Sequence, residues 1–358
     1  MQLYNKYDRA KLEERLANEP FERITLSFYR YVILDDVPTL RDRLYDQWNQ
    51  LGVLGRIYLA REGVNAQLSI PVPNFEQFKK ELNEMEPFAA MPFKIAVDQG
   101  HSFIKLIIKV KEQIVADGLT QDEYDVTDVG EHLNAAEFNL AMEQGAIVVD
   151  MRNHYESEVG HFDGAILPEA ETFREELPLV KAKLADKKNL KVLLYCTGGI
   201  RCEKASAYLK HYGFTDVNQL HGGIISYKHQ IEEQGLDAKF KGVNFVFDDR
   251  LGERITDDVL AECHQCGAAS DHITNCANVA CNLLFIQCKK CATELEQCCT
   301  PRCAAVNGLS EEKQFERRAG NENRKKFNKG VKDVKALRQN IAEQKTLSTD
   351  ELLALTTT

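Results

Sequence analysis

A chain of 358 residues, 44% hydrophobic and 28% charged, has the make-up of a globular protein of two or three domains rather than a disordered or fibrous one. Its formal net charge of -10 argues against indiscriminate binding to nucleic acid, although a local basic surface is compatible with it. The charged opening MQLYNKYDRAKLEERLANEP has no apolar signal core and no stretch approaches a membrane span, so no membrane association and a cytoplasmic location are expected.

In chain order, RITLSFYRYVIL predicts a strand. DVPTLRDRLYDQWNQLG predicts a helix with Leu40, Leu44, Trp48 and Leu51 on one face and Gly52 as its stop. GRIYLAREGVNAQLSIP reads as two strands around a turn at Glu62 and Gly63, and NFEQFKKELNEM as a second helix capped by Asn74. FKIAV and FIKLIIKVKEQIV add strands. The resulting βαββαβ order is that of a ferredoxin-like (acylphosphatase-like) sandwich, expected over residues 1–118.

The polar stretch ADGLTQDEYDVTDVG links this to a second unit, 119–237. AIVVDMR and KVLLYC are short apolar runs suited to strands buried on both faces, CEKASAYLKHYGF is a helix stopped by Gly213, and DVNQLHGGI is one more strand. That alternation predicts an α/β domain with a mainly parallel sheet. Residues 238–310 are expected to hold a connecting segment and a Cys-rich module, and 311–358 a basic, flexible tail. The chain as a whole is thus α/β and α+β, in several domains.

Eleven cysteines in a reducing compartment point to catalysis or metal rather than disulfides. Cys196 stands at the exit of a buried strand, followed by Thr197, Gly198, Gly199, Ile200, Arg201 and Cys202. The glycines let successive N–H groups turn inward as an anion nest, and the helix start and Arg201 add positive charge. Each favours thiolate over thiol, which makes Cys196 and Arg201 the catalytic candidates and residues 197–200 an anion-binding loop. Cys202 is a candidate redox partner, although a core position at the first helical turn fits it better. Tyr195 is assigned to the core, and Asp150 and Arg152 to a structural pair beneath the loop.

IVVDMRNHYESEVGHFDGAI, YCTGGIRCEKASAYLKHYGF and LHGGI together resemble a rhodanese domain. Asp150, Arg152, His161, Gly164, Ala165 and Cys196 match that family's recurring positions, and the resemblance implies a cysteine able to carry a persulfide. Related phosphatases have a Cys-x5-Arg loop. The Cys196-x4-Arg201 spacing here fits sulfur chemistry better.

Nine cysteines fall between Cys263 and Cys303. Cys263-x2-Cys266, Cys276-x4-Cys281, Cys288-x2-Cys291, and Cys298 or Cys299 before Cys303 form four pairs, the pattern of a cross-braced module with two structural zinc ions. The first and third pairs would share one ion, and the second pair would share the other with Cys299 and Cys303. One thiol is left over, and His264 and His272 remain candidate ligands. There is no flavin or nicotinamide motif, no phosphate loop and no pattern for an oxygen-activating iron site.

Residues 313–345 carry eleven Lys/Arg against four Asp/Glu, a local excess that attracts phosphate backbones. SFYRY, VADGL, NFVFDDRLGERI, CHQCG, LLFIQCKKC and RAGNENRKKFNK, in order with the segments above, make nearly the entire chain similar to the bacterial tRNA uridine hydroxylase family. The resemblance implies oxygen-dependent formation of 5-hydroxyuridine at the wobble position, molecular oxygen as co-substrate, and the tRNA anticodon loop as partner. It implies nothing about protein partners. On this reading Cys196, as thiolate or persulfide, acts on the uracil. Asp248, Asp249 and Arg250 are assigned to a charged surface turn in preference to proton transfer. A rhodanese-type sulfurtransferase is the competing reading, since both chemistries use the same loop.

Overall fold

In the computed structural model, which describes residues 8–120, 123–318 and 330–355, the chain divides into two units. The first comprises the chain up to Arg152 with Gly164–Lys239 and Val246–Arg254, and the second Asn153–Asp163, Phe240–Phe245 and the chain from Ile255.

In the first unit β1 (Arg23–Tyr31), α1 (Val37–Gln50), β2 (Leu54–Ala60), β3 (Gly63–Pro71), α2 (Phe75–Asn83), β4 (Lys94–Ile95) and β5 (Leu106–Val110) follow one another. They build a sheet of order β4-β1-β3-β2-β5. The β1 and β3 strands pair antiparallel with Leu26 opposite Leu68, whereas β5 adds parallel to β2 at the far edge. The period of two puts Leu26 and Phe28 into a core with Trp48 and Phe78, whose rings meet at 5.4 Å. Ser27 and Tyr29 fall on the opposite face by that alternation, beside Lys94, the β4 partner of Ser27.

Two expectations are corrected here. Asn74 precedes α2, but its side chain caps nothing and instead donates to the Leu51 carbonyl at 3.0 Å. The strand read from FKIAV keeps only Lys94–Ile95: the Ala96 N–H still reaches the Thr25 carbonyl at 2.9 Å, but the Thr25 N–H is taken by the Gln99 side chain at 3.0 Å and the ladder ends there.

The same unit continues with β6 (Glu131–Leu133), α3 (Ala135–Glu143), β7 (Ile147–Asp150), β8 (Val192–Tyr195), α4 (Ile200–His211), β9 (Val217–Leu220) and α5 (Gly223–Gln234). These strands pair in parallel in the order β6-β9-β8-β7. All four residues of β8 are fully buried, as a central parallel strand requires. The short edge strand β6 carries no apolar run and was not predicted. Nor is the linker free: Asp117 is buried and meets Lys204 at 3.0 Å, and Tyr124 packs against Tyr208.

In the second unit Phe240–Phe245 pairs antiparallel with Gly160–Phe162, placing His161 on that ribbon with its Nδ1 2.8 Å from the Ser157 carbonyl. Ile273–Asn275 and Leu284–Ile286 form a second ribbon within the Cys-rich region. The span expected as a flexible tail carries helices at Glu311–Arg318, Val334–Gln344 and Thr349–Ala354. Asp333 and Ser348 cap the last two, and Ile341 and Leu352 give each a buried anchor. Residues 319–329, which hold much of the basic excess, lie outside the described residues.

Candidate active site

Cys196 leaves β8 at its carboxyl end, where open parallel sheets place their sites. Gly199, at φ +94°, turns the chain so that its N–H returns to the Cys196 Sγ at 3.1 Å. Any side chain there would strain the backbone and set its Cβ 2.9 Å from the Tyr29 hydroxyl. Gly223, at φ +68°, is equally constrained, since a Cβ would lie 2.5 Å from the Cys196 carbonyl. Its smallness lets α5 start under the loop, where Ile224 and Ile225 donate to the Cys196 and Thr197 carbonyls at 3.1 and 3.2 Å.

Burial alone would push the Cys196 thiol up. The Cys202 thiol donating to it, the Arg201 charge, and the N–H groups of Arg201 and Cys202 outweigh burial and bring it down to about 6. Cys202 itself is fully buried, and burial with the neighbouring anion holds its thiol well above the ordinary range, so it stays a donor. Below the loop Arg152 grips Asp150 in a fork of 2.8 and 2.6 Å, and the Tyr195 hydroxyl donates to the same carboxylate at 2.7 Å. All three are fully buried, where an ion pair of this geometry fixes the strand ends.

Glu203, in the first turn of α4, accepts from the Tyr29 hydroxyl at 2.9 Å and Gln219 at 2.8 Å and meets His132 at 3.0 Å. Its neighbour Lys204 is fully buried, 3.0 Å from both Glu62 and Asp117. Consecutive residues of α4 therefore bind the loop's helix to the β1–β5 sheet. Between that sheet and the loop lies a narrow cleft of about 80 Å³, open in part to solvent. Ser27, Tyr29, Asn65, Gln67 and Lys94 line one wall, and Cys196, Thr197, Gly198, Ile200, Arg201 and Phe247 another.

Asp248 and Arg250 also line this cleft, which corrects their assignment to a surface turn. The Arg250 side chain, 12% exposed, donates to Asp248 at 2.8 Å and to fully buried Glu253 at 2.6 Å. Asp249 points away, 3.8 Å from Arg9. Sequence reasoning missed Lys94 and Tyr29. The signal was present in SFYRY, whose residues opposite the core face are Ser, Tyr and Tyr rather than charged, the mark of a covered face.

Residues 23–114 match the UPF0176 acylphosphatase like domain, 134–230 the Rhodanese-like domain and 241–304 the Rhodanase C-terminal family. A tRNA uridine(34) hydroxylase from Leptospira interrogans is 58% identical over 91% of this chain and 89% of its own length. The chain belongs to the tRNA uridine(34) hydroxylase family. The protein of that name from Yersinia enterocolitica is 49% identical over 91% of this chain and 95% of its own. Among solved structures, a rhodanese-like domain from Anabaena sp. covers 32% of this chain and 80% of its own at 18% identity, with a TM-score of 0.26.

This hydroxylase-family chain also gathers two sets of four thiols in its second unit. Cys263, Cys266, Cys288 and Cys291 form one, and Cys276, Cys281, Cys299 and Cys303 the other, each with all Sγ atoms within 4.8 Å. Either set could hold a metal ion. Cys298, fully buried, is the thiol left over. His264 and His272 join neither set: the His264 Nε2 meets Glu158 at 2.9 Å, and its Nδ1 accepts from the Ile286 N–H at 3.3 Å. Among the described residues no helix is long and apolar enough to cross a membrane.

Proposed function

We propose that this chain hydroxylates uridine 34 of tRNA at C5, giving 5-hydroxyuridine, in the cytoplasm, with molecular oxygen as co-substrate. The observation that carries the reading is a thiol held at about 6 beside a cleft open to solvent, in a chain 58% identical to a tRNA uridine(34) hydroxylase. The anticodon loop presents uridine 34 unstacked, as single-stranded RNA allows, and the base enters the cleft. Cys196, as thiolate, adds to C6 of the uracil. That addition makes C5 electron-rich and able to take up one atom of the oxygen, the other leaving as water with two electrons and two protons from an external reductant. Loss of the C5 proton then expels the Cys196 thiolate from C6 and restores the ring. Arg201, with the loop's amides, steadies the negative charge that develops. Cys202 keeps its proton and tunes Cys196.

The thiol sets are structural zinc sites on this reading. Tetrahedral Zn–S bonds of about 2.3 Å put sulfurs about 3.8 Å apart. The separations of 3.7 Å for Cys266–Cys288, 3.6 Å for Cys281–Cys299 and 3.7 Å for Cys299–Cys303 fit that, and are far from a disulfide bond of about 2.05 Å. The ions would hold together a segment too small to build its own core. The basic residues of 313–345 would meet tRNA phosphates.

The test is mass spectrometry of tRNA nucleosides from cells with and without the gene, complemented by the wild type or by Cys196→Ser. Loss of 5-hydroxyuridine derivatives, restored only by the wild type, supports the reading. If they persist and a thiolated nucleoside disappears instead, the chain is a sulfurtransferase.

A further inference from the structure

The rhodanese-like loop alone leaves one side of the cleft open, and the group that the β1–β5 sheet sends there is a lysine. Lys94 sits on edge strand β4 opposite Ser27, on the cleft face of the sheet. Its stem lies across the loop: a Cβ built on Gly222 would be 3.6 Å from its Cε, and one on Gly198 would be 3.9 Å from its Cδ. Its ammonium lies 4.1 Å from the centre of the Tyr29 ring. Among the described residues no carboxylate forms an ion pair with it. Surface lysines are held by water, and buried ones by acids. This one is half-buried, with an aromatic face on one side and a reactive thiol in the same cleft.

We propose that Lys94 completes the Cys196 centre, its ammonium donating a hydrogen bond to the oxyanion that forms at O4 of uracil when the thiolate adds. The N-terminal sheet would then supply a working group to the reaction as well as a wall. The inference rests on Cys196 acting as the nucleophile. In the step, a sulfur lone pair forms the S–C6 bond and the C5=C6 pair moves through C4 onto O4. Lys94 stabilises the resulting enolate without losing its proton, and collapse of the adduct reverses each movement. No oxidant or reductant takes part.

The electrostatics agree with the geometry. Burial draws the Lys94 ammonium down to about 8, while the negative charges of Cys196 and Glu203 hold it up. Tyr29 and His221 also face it, and neither supplies a negative charge near neutral pH: burial and Glu203 push the phenol far above its usual range, and burial pushes the imidazole down. Arg201 and the closed ion set of Asp248, Arg250 and Glu253 complete the cleft's charges. A lysine titrating near neutrality in such a setting is far more common in working sites than on inert surfaces.

Addition at C6 makes C5 exchangeable, so the step can be read without oxygen. The full-length protein is incubated anaerobically in D₂O with tRNA bearing uridine 34, and deuterium at C5 of that nucleoside is followed by mass spectrometry. The wild type should exchange it and Cys196→Ser should not. Lys94→Met should exchange about a hundredfold more slowly, the usual loss for one oxyanion donor. Lys94→Arg should recover most of the rate, and should keep it above pH 8, where the wild type falls off as its ammonium is lost. Iodoacetamide labelling of Cys196 in each Lys94 variant verifies that the loop is intact.

If Lys94→Met exchanges within threefold of the wild type, the Lys94 proposal is overturned while thiolate addition stands. If the wild type shows no exchange yet restores 5-hydroxyuridine in cells, addition at C6 fails and Lys94 with it, while the hydroxylase reading survives. If the gene proves dispensable for 5-hydroxyuridine, the hydroxylase reading itself is lost.

Discussion

The two units use cysteine in opposite ways. In the first, one thiol is surrounded by donors: the Gly199 N–H, the Cys202 S–H and the Arg201 charge. The chain itself stabilises one negative charge there and leaves it facing a cleft. In the second, eight thiols stand in two sets of four. Four thiolates at such spacing would repel one another strongly, and a cation among them would offset that repulsion. On the proposed reading, the cysteine with many donors reacts, and the cysteines that have mainly each other are neutralised by a metal ion. Counting residues would have treated all eleven alike.

The sharpest way to break that contrast is to remove a sulfur from each kind of site. Cys196→Ser should abolish 5-hydroxyuridine formation and leave a metal content of two ions per chain, measured by plasma emission on the purified protein. Cys299→Ala should do the reverse in part, losing one ion and opening the C-terminal region to protease. Structural zinc contributes apparent binding energies of about 10–16 kcal/mol in small modules, far more than such a segment gains from its own packing. Cys298→Ala serves as the control, because Cys298 belongs to neither set. It should retain both ions. Equal metal loss in Cys298→Ala and Cys299→Ala would mean that the pairing is wrong.

These sites were unequally legible in the sequence. The Cys196 loop could be read because its parts are contiguous, strand end, glycines, arginine and helix start lying within a few residues. The pairing of the eight thiols followed from spacing, with the choice between Cys298 and Cys299 open, since adjacent residues differ only in the direction they face. Lys94 was invisible for the opposite reason. It lies about a hundred residues from Cys196 on a two-residue edge strand, and only the pairing of β4 with β1 brings it to the cleft. The ion set at Arg250 looked like a charged turn because four charges in six residues usually face water. Burial reversed that meaning, and burial is a property of the fold. The helices at Val334–Gln344 and Thr349–Ala354 were masked by charge, although Asp333 and Ser348 gave the cap signals.

A smaller effect tests how the first unit holds its thiolate. The Cys196 rate of alkylation by iodoacetamide should rise with pH through about 6. Cys202→Ala removes the S–H donor, and hydrogen bonds to charged groups are worth about 1.5–3 kcal/mol, so the midpoint should move up by roughly one to two pH units. Arg201→Gln should move it in the same direction. An unchanged midpoint in both would leave the backbone amides as the whole cause.

The smallest expected effect concerns the contact between α4 and the β1–β5 sheet. The Glu203 carboxylate lies below its usual range: burial alone would raise it, but His132, Gln219 and Tyr29 outweigh burial. His132 is raised, chiefly by its hydrogen bond to Glu203. A depressed acid stabilises the fold above its ordinary value and loses that contribution as pH falls through the lowered one. A raised histidine stabilises it below its ordinary value and loses that contribution as pH rises through the raised one. Both are at full strength between about 4.5 and 6.5, the ordinary values of the two groups. Glu203→Gln should therefore cost most in that window and less at pH 8.5, where only the hydrogen bonds from Tyr29 and Gln219 are at stake. Because His132 is partly exposed, the pH-dependent part should be modest, about 1 kcal/mol. Urea midpoints of wild type and variant at pH 5.5 and pH 8.5 measure it. A difference that grew with pH would show that His132 plays no part, and that Tyr29 and Gln219 hold the carboxylate in place.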